Sequence, residues 1–389
     1  MLNKLYDFLI ALLILAGISA IVYIFINRDL FLKVPKTQKE NPVSVENLHP
    51  VELKISSHWL KGAQNIRGKT FFAVSKKEHI VYASFLNDPT KMILIGDFVV
   101  VTEPNAGNIV VLRDTNRDNS ADDKLIFESG LRYPYGLAYK DGNLYVSTEG
   151  SILVYKDFLN QLKNTNPSSE VLVSNLPATG IGKKRPLLIG NDNRIYVGIG
   201  ASCNSCIEED RRRASVVSYN LDGTNEEIYA SGFKEPTDLE SYLGFTYLLE
   251  ESMRSSKIEI PQELNRLKEK AFYGWPFLYG DNVKVSPDTP KVFDFDKAEP
   301  PILTFESKYM PAGLSSSLNN KNYEGLLISL NSQKESKVLY FDLNNNVKEL
   351  FVWKDFSKGF VANIEDLVPY KKGLLVTDSK NGTIYYLSL

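Results

Sequence analysis

The densest group of oxygen-bearing side chains is the run Asp114-Thr115-Asn116-Arg117-Asp118-Asn119-Ser120-Ala121-Asp122-Asp123. Asp114, Asn116, Asp118 and Asp122 fall at loop positions 1, 3, 5 and 9. Alternating Asp and Asn side chains can converge on a hard cation, and Ca²⁺ takes roughly six to eight oxygens. The spacing therefore predicts a Ca²⁺ loop, although position 6 is Asn119 rather than Gly and position 12 is Leu125 rather than a bidentate Glu. The same residues suit a polar turn built on Asx hydrogen bonds, and both readings stand. Cys203 and Cys206, in SCNSC, are the only cysteines. Tetrahedral Zn²⁺ needs two ligands beyond such a pair, and no His follows His79. A local disulfide is expected if this part of the chain is exported, and free thiols if it stays in the cytoplasm.

The three histidines, His49, His58 and His79, all lie early in the chain. A base of near-neutral pKa must then be a carboxylate or a Tyr. Glu103, Glu149, Glu235 and Asp238 are candidates on loop positions, and each also reads as a solvated or turn residue. The run Arg211-Arg212-Arg213 could clamp the carboxylates of an anionic ligand. Glu208, Glu209 and Asp210 balance it equally well as a solvated face. Pro261 followed by Glu263 resembles the first turn of a short helix, predicted over 261–270 with the carboxylate near its N-terminus. Trp275, between Gly274 and Pro276, reads as a packing anchor.

These residues need a scaffold. With 43% apolar and 24% charged residues and a net charge of −2, the chain is of globular type and offers no pull toward nucleic acid. Residues 1–33 differ, because 8–26 reads FLIALLILAGISAIVYIFI without a charge, long enough to span a membrane as a helix. The small residues Gly17 to Ala20 also suit a signal peptidase, yet the apolar run continues past them, which favours an uncleaved anchor. Only Lys4 precedes the span while Arg28, Lys33, Lys36 and Lys39 follow it, so charge bias alone keeps the C-terminal part in the cytoplasm. Residues 34–50 read as a linker, and 51–389 as the globular part.

From Ile93 onward the sequence breaks into short β-rich runs separated by Asp, Asn and Gly. The segments 94–114, 136–156, 187–202 with 215–224, and 367–389 share one plan of strand, turn, Tyr/Val-rich strand and third strand. Repetition every 45–60 residues or so is the pattern of propeller blades. The prediction is an all-β, six-bladed β-propeller, its ring closed by N-terminal and C-terminal strands sharing a blade.

Several blocks, in order, carry a family resemblance: VTEPNAGNIVVLRDTNRDNSADD (101–123), LRYPYGLAYKDGNLYVS (131–147), SCNSCIEEDRRRASVVSYNLDGTNEEIYASGFKEP (202–236), PQELNRLKEKAFYGWP (261–276) and MPAGLS (310–315). Together they resemble the glucose/sorbosone dehydrogenase family of pyrroloquinoline quinone (PQQ) proteins. The resemblance implies a six-bladed propeller that binds PQQ and Ca²⁺, oxidises an aldose or related sugar aldehyde, and works outside the cytoplasm, in the periplasm or at the cell surface. It also implies site residues. The family's His base falls near Gly182, with Arg185 retained in register. Tyr135 stands for a His, and Lys234 and Glu235 replace an Arg-Asn pair that meets the quinone. An Arg expected near the last blade is not evident in 360–369. Glu263 and Tyr273 keep the spacing of a Ca²⁺ ligand pair. The expectation is a membrane-tethered, sugar dehydrogenase-like protein with altered or lost activity. Its rival is a non-catalytic propeller that binds carbohydrate or a partner protein.

Overall fold

The computed structural model describes residues 50–51, 71–72 and 79–389, apart from 165, 179, 253–254, 256–257, 286–297, 317–322 and 355–361. The apolar run 8–26 and the linker up to residue 49 lie outside the described residues. No helix among the described residues is long and apolar enough to cross a membrane.

Six antiparallel sheets of four-stranded plan follow one another along the chain. The first holds Met92–Ile95, Phe98–Glu103, Asn108–Arg113 and Asp123–Glu128, and the second Leu137–Lys140, Asn143–Ser147, Ile152–Tyr155 and Glu170–Val173. The third holds Leu187–Ile189, Arg194–Ile199, Ser215–Asn220 and Glu227–Ser231, extended by Ala271–Phe272 in parallel. The fourth comprises Glu235–Tyr242, Phe245–Glu251, Gln262–Arg266 and Leu303–Phe305, and the fifth Met310–Ser316, Leu326–Asn331, Glu335–Phe341 and Val347–Lys354. The last blade joins Ile364–Tyr370, Gly373–Asp378 and Thr383–Ser388 to the early strand His79–Ala83, with Tyr385 opposite Val81. The ring therefore closes by shared N- and C-terminal strands, as the repeats predict. The first strands of successive blades touch one another around the whole ring and form the wall of an axial channel.

Strand alternation explains why the inner runs are almost wholly apolar. In Phe98–Glu103, Val99 and Val101 point into the cluster shared with the last blade, whereas Val100 points into the cluster shared with the second. Both faces are covered, so all three valines are fully buried. Equivalent clusters fill the remaining gaps between blades. Two-residue turns such as Gly96-Asp97 and Asp141-Gly142 close the first hairpins. Near the axis the blades approach so closely that a Cβ on Gly136 would lie 2.5 Å from the Arg185 carbonyl oxygen, which only Gly permits.

One predicted element is corrected. Residues 262–266 form the third strand of the fourth blade, with Glu263 opposite Glu250 and Thr304, and not a helix over 261–270. Pairing on both sides overrides the helix-start pattern of Pro261 and Glu263, so Glu263 caps no helix.

Within each meander the first and third turns lie at one end of the blade. The second turns and the blade-to-blade connections lie at the other. This second end, the loop face, carries the residues described next.

Candidate active site on the loop face

Polar side chains occupy the axis itself. A cavity of about 260 Å³ is lined by residues from the inner strand of every blade, among them Lys91, Asp238, Glu240 and Asp366. Lys91 is buried, and its Nζ lies 2.7 Å from Asp238 Oδ2 and 3.8 Å from Asp366 Oδ1, while donating to the Ala312 carbonyl at 2.9 Å. One ammonium thus links the first blade to the fourth, fifth and sixth. The Leu314 and Met92 amides donate to Asp238 and Asp366, each at 2.7 Å. Burial raises the Asp366 pKa to about 7, with Lys91 opposing and Asp238 adding to the shift. Burial raises Asp238 too, again against Lys91. Glu240 rises to about 8 through burial and then the neighbouring Asp238.

Glu235 begins the inner strand of the fourth blade at the mouth of this channel and is buried. Its carboxylate occupies the space beside Gly182, since a Cβ on Gly182 would lie 2.8 Å from Glu235 Oε2 and 2.9 Å from Gly200 Cα. Burial raises the Glu235 pKa, opposed by Lys184 and Lys234, reinforced by Glu251 and opposed by Arg185. Burial works against the Lys184 ammonium, but Glu365, Glu235, Glu251 and Asp238 outweigh it and hold its pKa above that of an ordinary lysine. Lys234 is buried with its Nζ 4.0 Å from Glu251 Oε1. The mouth is therefore a mixed cluster of carboxylates and ammonium groups.

Arg185 is fully buried, and its two Nη atoms donate to the carbonyls of Pro177, Gly182 and Lys184. Burial lowers its pKa to about 10. Its role is to pin the 177–185 loop from within. Tyr135 is likewise buried, donating to the Thr237 carbonyl at 3.0 Å, and burial holds its hydroxyl protonated.

The other predicted residues are dispersed. Glu103 accepts from the Asn87 amide and from Asn108, and Glu149 accepts from the exposed Arg132, so both organise loops. The Asp114 loop lies at the opposite end of the first blade. Asp114 accepts from the Asp118 and Asn119 amides, and Asp122 from Thr115 and Asn116. Lys371 Nζ enters this loop, 2.8 Å from Asp114 Oδ2 and 2.9 Å from Asn119 Oδ1. Asx hydrogen bonds and an internal ammonium are what the loop contains. Arg212 pairs with Asp210 and lowers its pKa by hydrogen bonding. Cys203 and Cys206 are joined in a disulfide. Trp275 is buried beside them, its indole donating to the Asn204 carbonyl at 3.1 Å.

Glu263 is buried in the fourth blade and accepts from the Gly280 amide at 2.6 Å. Tyr273 stacks its ring on Phe233 and donates to the Arg266 carbonyl. Sequence reasoning missed Glu263's true neighbours, Glu250 and Asn265. Among the described residues, Glu250 Oε2 and Asn265 Oδ1 are buried without a hydrogen-bond partner. Burial and then Glu263 hold the Glu250 pKa well above the carboxylate range, and burial raises Glu263 to about 7. Sequence reasoning also missed Lys91, Lys184, Glu240, Glu365 and Asp366. The acidic residues Glu235, Asp238 and Glu240 within one inner strand were the available signal.

Residues 87–239 match the family described as a domain of unknown function, DUF7133. An uncharacterized protein of Borreliella burgdorferi is 24% identical over 286 residues, covering 66% of this chain and 75% of that protein. Among solved structures, the holo PQQ domain of pyranose dehydrogenase from Coprinopsis cinerea has a TM-score of 0.67 at 13% identity, covering 83% of this chain and 98% of that one. The PQQ-bound aldose sugar dehydrogenase of Streptomyces coelicolor has a TM-score of 0.57 at 15% identity, covering 79% and 96%. The chain shares the six-bladed fold of these PQQ-dependent sugar dehydrogenases.

Proposed function

We propose that the chain is a membrane-tethered, exported propeller of the PQQ sugar dehydrogenase type in which quinone-dependent sugar oxidation is weakened or lost. The fold likeness supports the type. The observation that carries the loss is the Glu235 carboxylate filling the space beside Gly182, where the resemblance places a His. A buried carboxylate with a raised pKa can accept a hydrogen bond or proton from a sugar hydroxyl, and Lys184 supplies a donor beside it.

The residues present do not fit an anionic tricarboxylate quinone well. Arg185 is engaged by loop carbonyls, Lys234 faces Glu251, and Glu235, Glu251 and Glu365 surround the remaining Lys184. Carboxylates so placed repel the quinone's own. A hard cation fits better in the fourth blade, where Glu263, Glu250 and Asn265 gather oxygen acceptors that would hold Ca²⁺. The mixed mouth also supports the second reading, a non-catalytic carbohydrate-binding propeller.

Purified full-length protein in mild detergent, supplied with PQQ and Ca²⁺, tests the proposal by dye reduction across a panel of aldoses and by PQQ absorbance. Little turnover and weak quinone binding are expected. Robust oxidation abolished by Glu235→Gln would overturn the loss and identify Glu235 as the working base. Restoring a His at Gly182 is a poor test, because its Cβ would meet Gly200 backbone at 2.9 Å.

A further inference from the structure

We propose that Cys203, Cys206 and Glu208 form a redox-gated binding site for a thiophilic divalent cation of the Zn²⁺ class, independent of any quinone. The two sulfurs and a Glu208 carboxylate oxygen all lie within 4.8 Å of one another. In the structure the sulfurs are bonded to each other, so the site opens only on reduction. Cys206 Sγ is 3.8 Å from Glu208 Oε1. That separation is close to the edge of a Zn²⁺ tetrahedron, about 3.6 Å for Zn–S near 2.3 Å and Zn–O near 2.1 Å. Breaking the S–S bond lets the sulfurs part to a similar edge, and two intervening residues are an established chelating spacing.

Glu208 is already aimed. The Ser202 amide and hydroxyl donate to its two oxygens at 2.5 and 2.8 Å, and Arg213 Nε lies 4.0 Å from Oε2. Two thiolates and one carboxylate carry three negative charges. A divalent ion together with Arg213 cancels them, which a monovalent ion would not. The fourth position is left to water or to the Ser202 hydroxyl, 3.7 Å from Cys206 Sγ. Asn204 and Ser205 between the cysteines are exposed, giving a reductant access. Reduction by a water-soluble phosphine breaks the S–S bond with two electrons from phosphorus. Water supplies the oxygen of the phosphine oxide and the two thiol protons. Those protons leave when the cation binds.

The position of the site gives it a readout at the mouth. Ile181 and Gly182 amides donate to the Ser202 and Ala201 carbonyls, each at 3.2 Å, and the Ala201 amide donates to the Lys234 carbonyl at 2.8 Å. Hydrogen bonds thus tie the 201–208 loop to the backbone that frames Glu235.

The full-length protein in mild detergent is reduced with phosphine, desalted without oxygen and titrated with Zn²⁺ against a chromophoric chelator, beside the oxidised protein. One more equivalent of Zn²⁺ is expected in the reduced form. Co²⁺ should give thiolate-to-metal charge-transfer absorption only after reduction. Glu208→Gln should weaken the extra equivalent at least tenfold, and Cys203→Ser should abolish it, with the thermal transition confirming that each variant is folded. Equal stoichiometry in both redox states, or a Co²⁺ complex unaffected by Glu208→Gln, would overturn the site.

Discussion

Two pairs of buried carboxylates in this propeller have opposite surroundings. Asp238 and Asp366, on the axis, receive the Lys91 ammonium from another blade. Glu250 and Glu263, opposite each other inside the fourth blade, receive hydrogen bonds but no ammonium at bonding distance among the described residues, and Glu250 Oε2 has no partner there. The axial pair is closed on itself, whereas the second pair must hold a proton or a cation to be neutralised. The Asp114 loop belongs with the first kind, since Lys371 stands among its oxygens. Oxygen spacing in sequence therefore does not mark a metal site until the internal cations are located.

The largest effect should come from breaking the closed pair. Lys91→Met keeps most of the apolar stem but leaves two carboxylates buried without their cation, which costs about 3–5 kcal/mol. Chemical denaturation should show this loss, and adding Asp238→Asn with Asp366→Asn should recover much of it. A loss below about 1 kcal/mol would mean that water in the channel already screens the pair.

The open pair should respond in the other direction. Ca²⁺ binding to the native state adds about 2.7 kcal/mol at a hundredfold excess over Kd, visible as a higher melting temperature. Glu263→Gln should remove that gain, while Asp114→Asn should leave it intact because Lys371 already serves that loop. An unchanged melting temperature in the parent protein would show that the fourth-blade cluster takes protons alone.

How far this contrast could be read from sequence depends on the distance between partners. The second strands were legible because a run such as Val99-Val100-Val101 has both faces buried, and two-residue turns mark their ends. Closure of the ring was legible from the repeat plan. The 262–266 strand was not, because a short polar run after Pro261 has no periodicity to contradict a helix start. Glu235 and Asp238 were visible as acidic residues near a loop. Their meaning was not, since Lys91 lies 147 residues from Asp238 and only ring closure brings them together. Lys371 reaches Asp114 across 257 residues for the same reason.

The sharpest test of the contrast lies in the pH dependence of stability. Glu240 faces the channel below Asp238, with Asp366 nearby and Ser316 as its hydrogen-bonding neighbour, and its pKa is raised from 4.5 to about 8. Glu263 is raised from 4.5 to about 7. Between the ordinary value and the raised one the folded state holds more protons than the unfolded state, so stability falls as pH rises through that window. The melting temperature should accordingly be higher at pH 5.5 than at pH 8.5, by a few degrees. Glu240→Gln should flatten the slope at its upper end, near pH 7 to 8. Saturating Ca²⁺ should flatten the lower part, because a bound cation removes the proton preference of Glu263 while leaving the axis untouched. A slope that responds to Glu240→Gln but not to Ca²⁺ would end the case for a cation in the fourth blade.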